Sequence, residues 1–208
     1  MSGSFVSPEL RARVRGLAEP VGRAIARTGL SPNALTVIGF LIACTAAVAA
    51  GMQLWLLAAF LVVFGGIFDM FDGMVARATG KVSKAGAFLD STFDRWGEGV
   101  VYVGLTVGCL TARYDLGVIL AAAAMSSAFM VSYTRARSES LGFAPARGMA
   151  NVGLAPREVR LVILTAGVCL AGVNLAILGV ALALITVLAA ITTVQRILVT
   201  LRQASEQG

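Results

Sequence analysis

Residues 69–94 read DMFDGMVARATGKVSKAGAFLDSTFD. The stretch holds four aspartates in two pairs: Asp69 and Asp72 are three residues apart, and Asp90 and Asp94 are four residues apart. On an α-helix both spacings place the two side chains on one face. Long apolar segments flank the stretch on each side, so the pattern predicts a helical hairpin that brings both acidic pairs together near one end.

Acidic side chains inside a membrane need compensation. One aspartate costs about 2.5–3.5 kcal/mol at a helix centre, so four cost on the order of 10 kcal/mol. Ion pairs with neighbouring basic residues are one solution, and the candidates are Arg77, Lys81, Lys84 and Arg95. Divalent cations are the other, because Mg²⁺ and Mn²⁺ prefer carboxylate oxygens. Two such ions can clamp a pyrophosphate. Divalent ions therefore explain the spacing of the two aspartate pairs better than ion pairs do.

The composition is that of a membrane protein. Of 208 residues, 58% are hydrophobic and 13% are charged, whereas soluble domains are about 45–50% apolar and about 25% charged. The net charge of +6 therefore favours anionic membrane lipids or phosphorylated substrates as partners, and no nucleic acid. The absence of histidine excludes histidine ligands and a histidine base, which leaves carboxylates as natural proton acceptors.

The apolar blocks predict an all-α integral membrane fold with six transmembrane helices. They lie near residues 33–50, 53–76, 86–112, 116–136, 158–172 and 175–200. Ahead of them, residues 8–28 carry an apolar stripe at steps of three and four with arginines off it, which predicts an amphipathic interfacial helix. The domain division is then a juxtamembrane segment (1–30), a six-helix domain (31–202) and a C-terminal tail (203–208).

The basic residues predict the orientation in the cell membrane. With six spans, both termini and the loops near residues 77–84 and 137–157 share one side, and this side holds nearly all the arginines and lysines. The opposite connections hold only Arg113. Positive residues mark the cytoplasmic side. We therefore expect a multi-pass protein whose termini and acidic pairs face the cytoplasm.

The acidic stretch also resembles a known family signature. The pattern D-x-x-D-G-x-x-A-R-x8-G-x-x-x-D-x-x-x-D is typical of the CDP-alcohol phosphotransferases, and the chain matches it at every fixed position. These positions are Asp69, Asp72, Gly73, Ala76, Arg77, Gly86, Asp90 and Asp94. The six spans and the amphipathic segment are similar to that family as well, so the resemblance covers essentially the whole chain.

The resemblance implies an enzyme that transfers a lipid-linked phosphate from CDP-diacylglycerol to an alcohol and releases CMP. It implies a site for Mg²⁺ or Mn²⁺ on Asp69, Asp72, Asp90 and Asp94, with Asp94 also the base that deprotonates the acceptor hydroxyl. It assigns the CDP-lipid contacts to Asn33, Ala34, Leu35, Thr36, Gly73, Arg77, Ser83 and Gly86. The family is commonly homodimeric, so a homodimer is expected.

A second basic cluster bears on the acceptor. Its members are Arg135, Arg137, Arg157, Arg160 and Arg196. Arginines at a membrane boundary can simply extend to the lipid headgroups, but arginine also binds phosphate bidentately. Convergence from three spans predicts a pocket for a phosphorylated polyol. The surrounding stretches SYTRARSE, PREVRL and VQR resemble the branch of the family that uses inositol phosphate, although that branch more often has lysine where Arg135 stands. Glycerol phosphate is the alternative.

Two other classes of protein fit part of this pattern. A divalent-cation transporter would use intramembrane aspartates, but it would spread them through the membrane depth rather than cluster them in one hairpin. A structural membrane protein would use the G-x-x-x-G of Gly104 and Gly108 for helix packing, but this leaves the aspartates unexplained. The enzyme accounts for both features.

Overall fold

The computed structural model describes residues 29–143, 145 and 148–207, together with Ala24. Six α-helices and one short 3₁₀ turn account for most of these residues, which contain no strand. The helices are α1 (Pro32–Gly51), α2 (Trp55–Ala78), α3 (Lys84–Thr111), α4 (Asp115–Ser140), α5 (Arg157–Ala171) and α6 (Leu175–Gln207), and the turn is Met149–Asn151. The all-helical prediction is confirmed. The predicted amphipathic helix at residues 8–28 falls on the part of the chain that is not described, apart from Ala24.

Four helices are long and apolar enough to cross a membrane: α1, α2, α4 and α6. α3 is long enough but carries a series of charged residues, and α5 has only 15 residues, about 22 Å at 1.5 Å per residue. The hydrocarbon core is about 30 Å thick, so α5 is shorter than a full span. The chain is a multi-pass membrane protein, and the count of six spans stays a prediction.

The helices form a closed ring. α1 packs against α2 and α3, α3 against α4, α4 against α6, α6 against α5, and α5 against α2. Short connections at residues 52–54, 79–83, 112–114 and 172–174 reverse the chain between successive helices. The C-terminal end of α2 and the N-terminal ends of α1, α3 and α5 therefore share one end of the ring, and the acidic stretch lies there.

The G-x-x-x-G of α3 holds it tightly against α1. A β-carbon at residue 104 would collide with the backbone of Ala47, and one at residue 108 with the carbonyl oxygen of Ala50. The helices are thus in backbone contact, as small residues allow in membranes. The close approach also sets the spacing between Thr36 on α1 and the aspartates of the neighbouring helices.

Replacing Gly104 by alanine is expected to destabilise the protein. The added methyl group meets main-chain atoms that cannot rotate away, so α1 and α3 must separate, at a cost of about 1–3 kcal/mol. Thermal unfolding of the purified protein in detergent measures the effect as a lower melting temperature. Gly172→Ala is the matched control, because its methyl group would make only an ordinary contact, 3.6 Å from Trp55. Equal melting temperatures for the two variants would contradict the packing argument.

The segment that leads into α5 is fixed to α6. Thr192, fully buried, accepts hydrogen bonds from the backbone N–H groups of Leu154 (3.0 Å) and Ala155 (2.9 Å). Arg196 donates to the carbonyl oxygen of Val152 at 3.0 Å. Gly153 has φ +115°, and a side chain there would collide with Thr192. These contacts determine where α5 begins and hence where its first arginine lies.

α6 is the longest helix, with 33 residues, or about 50 Å. It continues through residues 203–207, which the sequence analysis assigned to a tail. Gln203, Ala204 and Glu206 have good or adequate helix propensity, and no proline or glycine interrupts them. The last turns of α6 therefore extend past the hydrocarbon core at the end of the ring that carries the site.

Candidate functional site

The four aspartates lie at two depths in the ring. Asp69 is nine residues from the end of α2 and Asp94 is ten residues from the start of α3, which places both about 14–15 Å inside those helix ends. Asp72 and Asp90 are each six residues from the same ends, about 9 Å inside. The site is a recess with an outer and an inner pair of carboxylates, and each pair takes one member from each helix.

The outer pair is organised by α1. Thr36 donates its hydroxyl hydrogen to Asp72 Oδ2 at 2.8 Å, and both side chains are buried. The backbone N–H of Gly73 donates to Asp72 Oδ1. Asp90 interacts electrostatically with Asp72 and also with both carboxylates of the inner pair. The motif aspartates therefore form one charged cluster, as the helical spacing predicts.

The inner pair is bridged by an arginine from α5. Arg157 donates from Nη2 to Asp69 Oδ2 and from Nη1 to Asp94 Oδ2, both at 2.7 Å. Asp69 also lies against α1, where a β-carbon at residue 39 would be 2.7 Å from its Oδ1. Gly39 is therefore needed for the carboxylate to fit, and the sequence analysis did not identify it.

The donor set suits a hard divalent cation. It consists of four carboxylates from two helices, and Mg²⁺ and Mn²⁺ bind such oxygens. As the side chains are placed, no group of three acidic residues in the described part of the chain converges on a common point. The reason is visible in the contacts: the Arg157 guanidinium lies between Asp69 and Asp94, and Asp72 is turned towards Thr36. The guanidinium of Arg157 already neutralises the inner pair. Asp69 and Asp94 would therefore fit a divalent ion in place of the guanidinium.

A cavity of about 70 Å³ continues inward from the carboxylates, between α1, α2, α3 and α5. Asp69, Asp94 and Arg157 line its charged end, and Leu61 and Leu164 are among its apolar walls. The volume is enough for a few water molecules. The recess therefore combines a charged end with an apolar interior.

Beside this cavity lies a second ion pair that the sequence analysis missed. Arg160, 2% exposed, donates from Nε and Nη2 to Glu98 at 2.9–3.0 Å and from Nη1 to the carbonyl oxygen of Ala155 at 3.0 Å. Glu98 follows Asp90 and Asp94 at steps of four on α3, so the acidic stripe itself was a signal for it. The pair ties α3 to α5. Tyr102, one turn further, is buried, and its hydroxyl has no hydrogen-bond partner in the described part of the chain.

The residues predicted for the CDP-lipid fall into two groups at the mouth of the recess. In the first, Ser83 Oγ accepts the backbone N–H of Gly86 at 3.0 Å, and Asn33 Oδ1 lies beside the same glycine. In the second, Arg77 extends back over Gly73, with its Nη1 3.3 Å from where a β-carbon would be. Thr36 belongs with the aspartates, while Ala34 is half-buried and Leu35 is buried in the core.

The five predicted acceptor arginines contact different groups, although Arg157 and Arg160 line the same cavity. Arg157 contacts the inner aspartates and Arg160 contacts Glu98. Arg196, 3% exposed, donates to the carbonyl oxygens of Val152 and Val131. Arg135 pairs with Glu139 along α4 at 3.1 Å, and Arg137 is exposed, with no ion pair among the described residues. Spacing alone could not predict these internal partners.

A ring of apolar helices around a recessed carboxylate cluster defines a membrane protein with a polar site between its helices. Residues 29–195 match the CDP-alcohol phosphatidyltransferase family. The chain belongs to this family.

Named relatives are similar over most of the chain. Archaetidylinositol phosphate synthase of Pyrococcus horikoshii is 36% identical over 169 residues, which cover 81% of this chain and 85% of that protein. Phosphatidylinositol phosphate synthase of Mycobacteroides abscessus is 32% identical over 182 residues, 83% of this chain and 75% of that protein. The fold matches the crystal structure of the Mycobacterium tuberculosis phosphatidylinositol phosphate synthase with CDP-DAG bound, with a TM-score of 0.78, 30% identity, and coverage of 88% of this chain and 92% of that one.

A second structure of the Mycobacterium tuberculosis enzyme, in complex with manganese and citrate, matches equally well, with a TM-score of 0.78 and 30% identity over 88% of each chain. That protein therefore binds a divalent metal within the same fold.

Proposed function

We propose that this protein transfers the phosphatidyl group of CDP-diacylglycerol to a hydroxyl of inositol phosphate and releases CMP. The observation that carries the proposal is the recess between α2 and α3, where Asp69 and Asp94 meet Arg157 at the charged end of a cavity and Asp72 and Asp90 lie one turn nearer the helix ends. The similarity to phosphatidylinositol phosphate synthases and archaetidylinositol phosphate synthases supports both the donor and the acceptor.

Asp94 is the residue that takes the proton in this reaction. It is 17% exposed, belongs to the inner pair and lies at the charged end of the cavity. A carboxylate oxygen of Asp94 accepts the proton of the acceptor hydroxyl while the hydroxyl oxygen of the acceptor attacks the phosphorus next to the lipid. A new P–O bond forms, the bond between the two phosphates of the donor breaks, and CMP leaves.

Mg²⁺ or Mn²⁺ held by Asp69, Asp72, Asp90 and Asp94 would supply the positive charge that neutralises the donor pyrophosphate and polarises the phosphorus. Asp72 is kept in place for this by its hydrogen bond to Thr36. The backbone at Gly73 and Gly86 lets the donor approach closely, because neither residue has a side chain. Arg77, above Gly73, provides a guanidinium for a donor phosphate.

Release of CMP by the purified protein tests the function. The assay contains CDP-diacylglycerol with Mg²⁺ or Mn²⁺ and, in parallel, inositol phosphate, glycerol phosphate, inositol or serine. We expect CMP release and a phospholipid product with inositol phosphate, and none after the metal is removed by EDTA. If only glycerol phosphate gave a phospholipid product, glycerol phosphate would be the acceptor instead of inositol phosphate. If no acceptor led to CMP release, the proposal would be refuted.

Steady-state kinetics should distinguish Arg77, assigned to the donor, from Arg137, assigned to the acceptor. Arg137→Ala is expected to raise the KM for inositol phosphate and to leave the KM for CDP-diacylglycerol unchanged, and Arg77→Ala should do the reverse. A charge-assisted hydrogen bond contributes about 1.5–3 kcal/mol, so each affected KM should rise roughly ten- to hundredfold. Each substrate is varied at saturating levels of the other. If Arg137→Ala weakened only the donor, the acceptor assignment would be wrong.

The proposal includes six spans, with the termini and the recess on the cytoplasmic side, where a soluble sugar phosphate is available. The charges inside the ring support this count, because Glu98 on α3 and Arg160 on α5 compensate each other. It also includes the N-terminal amphipathic helix and a homodimer, as the family resemblance implies.

A further inference from the structure

Arg157 holds the same two carboxylates that a divalent cation would need. Its guanidinium donates to Asp69 on α2 and to Asp94 on α3, both at 2.7 Å. The two bonds join three helices and form the tightest ion pairs in the described part of the chain. Both bonds end on Oδ2 atoms, so a cation that takes Oδ2 of Asp69 and of Asp94 replaces this arginine.

The geometry allows the side chain to leave while α5 stays in place. Arg160, one turn further along α5, is fixed to Glu98 on α3, and the preceding segment is fixed to α6 through Thr192. Among the described residues, the Arg157 side chain has hydrogen bonds only to the two aspartates, and it is 33% exposed. Its long flexible stem can thus move the guanidinium by rotation alone.

We propose that Arg157 and the divalent cation exchange on Asp69 and Asp94, and that the displaced guanidinium then binds the acceptor phosphate. The second half rests on the proposed function. Phosphate suits a guanidinium released from carboxylates, because both anions accept its paired N–H groups bidentately. Arg157 also lines the cavity beside the carboxylates, where the acceptor must present its hydroxyl to Asp94. The metal must therefore bind before the acceptor phosphate gains its full set of contacts.

The first test is Mn²⁺ binding without donor or acceptor, followed through the electron paramagnetic resonance signal of free Mn²⁺. Arg157→Ala should bind Mn²⁺ about tenfold more tightly than the wild type, because no charge-assisted bond must be broken first. Arg157→Lys, which keeps the charge but loses the paired geometry, should fall between the two. Arg202→Ala is the matched control, an exposed arginine on the last turns of α6 with no described contact to the aspartates, and its Mn²⁺ affinity should equal that of the wild type.

Unchanged or weaker Mn²⁺ binding in Arg157→Ala would overturn the exchange. The melting temperature of each variant in detergent shows whether it is folded. Should Arg157→Ala fail to fold, the comparison of Arg157→Lys with the wild type decides, since tighter Mn²⁺ binding supports the exchange and equal or weaker binding refutes it.

The second test measures inositol phosphate binding by calorimetry, with and without Mn²⁺. In the wild type Mn²⁺ should tighten this binding, and in Arg157→Ala the tightening should be about tenfold smaller. Any direct contact between metal and phosphate persists in the variant, so the difference isolates the arginine. An equal effect of Mn²⁺ in both proteins would refute the second half of the proposal. If the wild type did not bind inositol phosphate at all, the proposed acceptor would fail, whereas the Mn²⁺ comparison would still decide the exchange.

Discussion

Asp94→Asn is expected to lower turnover by about a hundredfold to ten-thousandfold, the usual contribution of a positioned general base. Asparagine has nearly the same shape and keeps one carbonyl oxygen, but it cannot take the proton of the acceptor hydroxyl. The measurement is single-turnover CMP release at saturating CDP-diacylglycerol and inositol phosphate. Binding of CDP-diacylglycerol, measured separately, should be largely retained.

Ser91→Ala is the matched control for this experiment. Ser91 is exposed on the same helix, and among the described residues its hydroxyl bonds only to the carbonyl oxygen of Phe88 in the preceding turn. Its turnover should be close to that of the wild type. Near-normal turnover of Asp94→Asn would show that another group is the base, and complete loss of donor binding would show that Asp94 acts mainly as a ligand.

Glu98→Leu is expected to have the largest effect on stability. It leaves the guanidinium of Arg160, 2% exposed, with only the carbonyl oxygen of Ala155 as partner. Removing one member of a buried ion pair costs about 3–5 kcal/mol, because the other charge stays buried without compensation. The melting temperature in detergent should therefore fall well below that of the wild type.

The double variant Glu98→Leu with Arg160→Leu distinguishes the charge from the packing. Removing both charges eliminates the uncompensated group, so the double variant should be more stable than Glu98→Leu alone. If the two losses simply add, the pair is not coupled and Glu98 contributes through packing alone.

Local spacing was sufficient to predict that α2 and α3 carry their aspartates at the same end of the ring. Asp69 and Asp72, like Asp90 and Asp94, are a helical turn apart, and a short connection forces their helices together. Their clustering therefore follows from geometry within 26 residues of sequence. The ring order of the helices was not predictable in this way, since α5 packs against α2 although α3 and α4 separate the two in the chain.

The partners of the arginines could not be predicted from the sequence either, because they lie far away along the chain. Arg157 lies 88 residues from Asp69 and 63 from Asp94, and nothing in a single sequence relates such distant positions. Arginines at helix ends were expected to gather around a phosphate, but Arg160 and Arg196 are saturated largely by internal acceptors. Glu98 could have been predicted from the sequence, because it continues the stripe of Asp90 and Asp94 at a step of four.

The distance along the chain between Arg157 and its aspartates has a consequence for biogenesis. At about 5–20 residues per second, a ribosome that has completed Asp94 needs roughly 3–13 s to reach Arg157. During that interval the inner pair lacks the guanidinium of Arg157, and among the described contacts Arg95 makes only a longer ion pair, 3.5 Å, to Asp94. A chain interrupted after α4 therefore keeps Asp69 and Asp94 without the arginine that bridges them in the finished protein.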